Sequence, residues 1–127
     1  MKLLLDTHAF LWWLGNDPKL GPRARAAIAD PDHLVFVSSA SAWEIAVKRA
    51  NGKLEVPGEI TSWIADNDFI ELPIDVQHAV AAAELPRHHN DPFDRLLIAQ
   101  ARREQMTLIA DDGEIDKYDV DPLPACK

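Results

Sequence analysis

The sequence predicts an α/β fold, a central, mostly parallel sheet of four to five strands with helices on both faces. Short apolar segments recur at residues 3–5, 34–37, 69–72 and 107–110, the third interrupted by Glu71, and a continuous run such as 3–5 reads as a strand buried on both faces. Between them lie longer stretches of helical pattern, and the first and last of these runs stop abruptly at a carboxylate. With 127 residues the chain is expected to form one domain over its whole length, large enough to bury a real core.

The elements follow in order. Leu3-Leu4-Leu5 is the first strand, and residues 8–14 form a short helix that is apolar nearly all round and therefore buried. Asn16-Asp17-Pro18 and Gly21-Pro22 break the chain, and Pro22 opens a second helix through Ile28. Residues 34–37 are the second strand. The serine-rich Ser38-Ser39-Ala40-Ser41 leads into a helix that runs to about Ala50 and stops at Asn51-Gly52. Pro57-Gly58 starts another helix, with Ile60, Trp63 and Ile64 on one face, and residues 69–72 are the third strand. Residues 75–85 are helical and rich in alanine, His88-His89-Asn90 is a loop, and residues 92–105 form a clear helix. The fourth strand, 107–110, breaks at Asp111-Asp112-Gly113, and Val120 begins a short fifth.

The formal net charge of -8 argues against a surface that grips nucleic acid by basic residues. A phosphate substrate would need positive charge from elsewhere, and carboxylates holding Mg²⁺ are one source. The lone Cys126 cannot form an internal disulfide, which fits a reducing cytoplasm. Asp6 and His8 interrupt the apolar N-terminal stretch, so no signal peptide or membrane span is expected.

Four segments each deliver a carboxylate to the region where the strands end. Asp6 directly follows a buried strand and needs a partner, a cation or water; it also suits a cap for the next helix. Glu44 fits a capping box with Ser41, which would place it in the first turn after the second strand, within reach of Asp6. Asp91 caps the helix opened by Pro92, with Asp94 in its first turn and Arg95 placed to neutralise either acid or to meet a phosphate, the ion pair being preferred. Asp111-Asp112-Gly113 is a turn that again follows an apolar strand. In an open α/β sheet, ligands bind at the carboxyl ends of the strands. Carboxylates gathered there would repel one another and raise each other's pKa unless a metal lies between them.

Leu4-Leu5-Asp6-Thr7-His8-Ala9-Phe10-Leu11-Trp12, Ser41-Ala42-Trp43-Glu44-Ile45, Asp91-Pro92-Phe93-Asp94-Arg95-Leu96-Leu97-Ile98-Ala99-Gln100-Ala101 and Leu108-Ile109-Ala110-Asp111-Asp112 together resemble the PIN-domain ribonucleases, in particular the VapC toxins of bacterial toxin-antitoxin pairs. The resemblance spans essentially the whole chain. It implies that Asp6, Glu44, Asp94 and Asp112 are metal-binding acids, Asp6 and Asp94 the direct ligands, with Thr7, Asp91 and Arg95 supporting them. It further implies one or two Mg²⁺ or Mn²⁺ ions, RNA as substrate, a homodimer and a small antitoxin as partner. Ala110-Asp111 stands where relatives often carry a hydroxyl residue and a non-acid, so Asp111 competes with Asp112 for the fourth place; the turn favours Asp112.

Other residues carry less. His88-His89 sit on a loop and rarely would point the same way, and the tryptophans fit a core or interface better than a base-stacking surface. Lys48, Arg49 and Lys53 suit an RNA path or a solvated helix face equally. A phosphate-receiver module would need an acidic pair where Asp6-Thr7 stands, and a haloacid-dehalogenase-type phosphatase an aspartate where His8 stands. The alternative to an enzyme is a catalytically silent module that pairs with an antitoxin to regulate transcription; the presence of all four acids weighs against it.

Overall fold

The structure is a computed structural model that describes residues 1–86, 91–111 and 121–125. His88, His89, Asn90, Asp112, Gly113, Val120 and Cys126 lie outside the described residues. The strands are β1 (Lys2–Leu5), β2 (Leu34–Ser38), β3 (Ile70–Leu72), β4 (Thr107–Ala110) and β5 (Asp121–Pro124). The helices are α1 (Thr7–Leu14), α2 (Pro22–Ala29), α3 (Ser39–Ala50), α4 (Ile60–Asp66), α5 (Val76–Glu84) and α6 (Pro92–Glu104). All strand pairs are parallel, in the order β3-β2-β1-β4-β5. The chain therefore winds outward from β1 to β3, returns to β1's other side as β4, and finishes on a proline-bearing edge strand. The reversal falls between β1 and β4, where doubly wound sheets open a cleft.

Alternation along β1 divides the core. Leu3 and Leu5 face α1, α2 and α4, packing with Phe10, Ala24, Ile28 and Ile64. Leu4 faces α5 and α6, packing with Ala82, Leu97, Ile98 and Leu108. Helices thus cover both sheet faces, which is why Leu3-Leu4-Leu5 of β1 and Leu108-Ile109-Ala110 of β4 are apolar without interruption.

Two helix starts differ from the sequence expectation. Ser38, not Ser41, caps α3, its hydroxyl accepting the Ala40 N–H at 3.0 Å, so the helix begins three residues before the expected box. Ser38 is also held from outside, since its hydroxyl donates to the buried Gln100 of α6 at 2.5 Å. α4 begins at Ile60 rather than at Pro57-Gly58, because Gly58 adopts φ 95°, which no helix accommodates. A side chain there would also meet the Trp63 indole at 2.6 Å.

Candidate active site

Asp6 sits where the sheet changes winding direction. Its backbone N–H still donates to Ile109 of β4 at 2.9 Å, while its side chain turns away to cap α1. One carboxylate oxygen accepts the Ala9 N–H at 2.7 Å and the other the Asp111 N–H at 3.0 Å. A single side chain therefore ties the start of α1 to the segment leaving β4. The residue is only 4% exposed, and burial lifts its pKa from 3.8 to about 6. The two backbone N–H groups and His8 oppose that rise, and the charge of Asp94 adds to it. No lysine or arginine among the described residues pairs with Asp6.

Glu44 arrives from α3. Because the helix starts at Ser39, Glu44 lies in its second turn rather than the first, and no capping box holds it. The buried carboxylate instead accepts the Thr7 hydroxyl at 2.6 Å on one oxygen and the Lys48 ammonium at 2.7 Å on the other. Thr7 follows Asp6 directly, so this hydrogen bond fastens α3 to the acid at the end of β1. Thr7→Val, which keeps the shape and removes the donor, is expected to lower stability by about 1.5–3 kcal/mol, the range for a hydrogen bond to a charged group. Urea denaturation checks this; an unchanged midpoint would mean that Thr7 does not hold Glu44.

α6 supplies the next acids. Asp91 caps it, accepting the Phe93 N–H at 2.9 Å and the Asp94 N–H at 3.4 Å. Asp94 is half-buried in the first turn, near enough for its charge to act on Asp6. Trp43 and Phe93, the residues preceding Glu44 and Asp94, meet edge to face at 5.4 Å and so set α3 against α6. The Arg95 guanidinium donates to the carbonyls of Ala82 at 2.8 Å, Leu85 at 2.9 Å and Pro86 at 3.1 Å, closing the end of α5. Asp111 lies beyond β4 with a carboxylate oxygen 3.3 Å from Nδ1 of His8. His8 was not singled out in the sequence; only its position two residues after Asp6, on the exposed side of α1, could have marked it.

These residues suit a hard divalent cation. The donors at the strand ends are carboxylate oxygens, which match Mg²⁺ or Mn²⁺, and Asp6 is a buried carboxylate that no lysine or arginine pairs with among the described residues. Ser41, fully buried one turn before Glu44, has a hydroxyl without a hydrogen-bond partner among the described residues, so unmet polar capacity lies on the same helix. A different trio, Asp75, His78 and Glu104, brings its ligand atoms within 4.8 Å of one another. Both His78 ring nitrogens are engaged there, one by the Asp75 N–H at 3.1 Å and one by Glu104 at 2.9 Å. That arrangement caps α5 and pins it to α6. Glu104 stands ten residues along α6 from Asp94, about 15 Å at the helical rise, so the two groups are separate.

The PIN domain family model matches residues 3–121. The chain is 28% identical over 119 residues to Ribonuclease VapC22 of Mycobacterium tuberculosis, covering 91% of each protein. Among solved structures, it is similar to VapBC2 from Rickettsia felis bound to a DNA fragment from their promoter, with TM-score 0.68 and 12% identity over 97% of this chain and 98% of the other. It is also similar to a toxin-antitoxin complex from Klebsiella pneumoniae, with TM-score 0.64 and 16% identity over 97% of each chain, and to FitAcB from Neisseria gonorrhoeae, with TM-score 0.61 and 19% identity over 97% of each. The chain, whose five parallel strands carry Asp6 and Asp111 to one edge, belongs to the PIN-domain family.

Proposed function

We propose that this chain is a divalent-metal-dependent endoribonuclease and the toxin half of a toxin-antitoxin pair. The observation that carries the reading is Asp6, a buried carboxylate fixed by two backbone N–H groups at the reversal of a parallel sheet, with no lysine or arginine to balance it among the described residues. The relative named a ribonuclease supports the activity, and the complexes of similar fold support a proteinaceous antitoxin as partner. Asp6 and Asp94 would hold Mg²⁺ or Mn²⁺, and Glu44 and Asp112 would complete the acidic set. When bound, the ion supplies an activated water and stabilises charge on the phosphodiester and its leaving oxygen. The side chains do the rest by position: the Ala9 and Asp111 N–H groups aim Asp6, and Thr7 aims Glu44.

In this reading the whole chain is one nuclease domain acting in the cytoplasm, where RNA and antitoxin are found. No helix among the described residues is long and apolar enough to cross a membrane. Trp43, 62% exposed, and Val47 one turn later form an apolar strip on α3 that suits the interface of a homodimer. The test is incubation of total bacterial RNA with the protein, with mapping of new ends. Cleavage is expected in Mg²⁺ or Mn²⁺, none in EDTA, and at least a hundredfold less with Asp94→Asn. RNA left intact by the wild-type protein in metal, or cut equally by the variant, overturns the reading.

A further inference from the structure

We propose that Lys48 is the residue that grips the backbone phosphate of the RNA at this cleft, an inference that rests on the nuclease reading above. A polyanion approaching Asp6, Glu44, Asp94 and Asp111 meets like charge, so a fixed cation at the rim has a clear task. Of the neighbouring lysines, only Lys48 is paired with one of the candidate metal-binding acids among the described residues, and Lys53, exposed beyond the end of α3, makes no ion pair there. The Arg49 guanidinium lies over the Trp63 ring at 5.6 Å, Arg95 closes the end of α5, and His8 faces Asp111 at 3.3 Å.

Lys48 is placed differently. Its side chain is 44% exposed, one turn beyond Glu44, and its ammonium sits 2.7 Å from the Glu44 carboxylate. The opposite oxygen of Glu44 is held by Thr7 at 2.6 Å, so the carboxylate that orients the ammonium is itself anchored to the residue after Asp6. An ammonium has three N–H donors. Among the described residues the only hydrogen bond of this one is to Glu44, which leaves two donors for a ligand on a side chain that is 44% exposed. A compact point charge of this kind binds phosphate without reading the base. Lys48 therefore contributes affinity for any RNA strand and leaves sequence choice to other residues.

The experiment is binding of a fluorescein-labelled, mixed-sequence 12-nucleotide RNA by anisotropy, across a salt series with Ca²⁺ replacing Mg²⁺, for the wild type, Lys48→Gln and Lys48→Arg. Steady-state cleavage in Mg²⁺ runs in parallel. Removing one phosphate contact should flatten the slope of log K against log salt by about 0.7 in Lys48→Gln, and Lys48→Arg should restore it. KM should rise roughly tenfold in Lys48→Gln with kcat changed much less, the pattern for lost uniform binding. If Lys48 only orients Glu44, kcat falls and the salt slope stays at the wild-type value, which overturns the proposal while the nuclease reading stands. A wild-type protein that neither binds nor cuts RNA overturns both.

Discussion

Asp6→Asn is expected to stabilise the metal-free chain above pH 6 while abolishing cleavage. The unfolded carboxyl titrates near 3.8 and the folded one near 6 because burial disfavours its charge. Between those values the folded state holds a proton that the unfolded state has released, so stability falls as pH rises. The contribution is complete below pH 3.8 and gone above pH 6, and the rise corresponds to about 3 kcal/mol. Asparagine carries no charge to desolvate. It does turn an amide N–H₂ toward one of the two donors, Ala9 or Asp111, at a cost of about 1–2 kcal/mol. The balance favours the variant by about 1 kcal/mol at pH 8 and the wild type at pH 4.5.

Urea denaturation in EDTA at both pH values reads this directly. A difference between the two proteins that does not change with pH would mean that Asp6 ionises without penalty, and the case for a missing counter-charge would fall. Loss of cleavage should reach ~10³-fold or more, since several kcal/mol of charge stabilisation go with the metal. A variant both more stable and inactive is the signature of a charge retained for function. The core tolerates that charge because each fully buried leucine of β1 contributes roughly 1.5–3 kcal/mol.

How legible a residue was depended on how far away its partner lies in the chain. β1 and Asp6 could be read locally: an uninterrupted apolar run and the acid that ends it need no distant information. For Asp6, the helix cap and the cleft carboxylate turned out to be one arrangement, because its two oxygens serve α1 and the segment after β4 separately. Glu44 was singled out for the wrong local reason. Ser38, Ser39 and Ser41 all make plausible caps, and the choice is settled by Gln100, 62 residues from Ser38. The bonds of Arg95 to carbonyls of α5 ten or more residues back were likewise out of reach of a local reading, which sees only the acids nearest in sequence. The contacts of Asp6 with the Asp111 N–H, 105 residues away, and of His8 with the Asp111 carboxylate exist only once β4 is laid beside β1.

Mg²⁺ is expected to raise the melting temperature of the wild type by roughly 10 °C at a hundredfold excess over Kd, from about 2.7 kcal/mol of linkage. The informative comparison is between Asp94→Asn and Glu104→Gln, because α6 carries an acid of each candidate group near opposite ends. Hard oxygen donors beside a buried carboxylate that no lysine or arginine pairs with among the described residues favour Mg²⁺ at Asp6 and Asp94. At His78 a metal would have to displace either the Asp75 N–H or Glu104 from a ring nitrogen, undoing the α5 cap or the α5–α6 tie, and an imidazole suits softer ions than Mg²⁺. The shift should therefore vanish in Asp94→Asn and persist in Glu104→Gln. The opposite result would move the metal to the α5–α6 junction and strip the strand-end acids of their counter-ion.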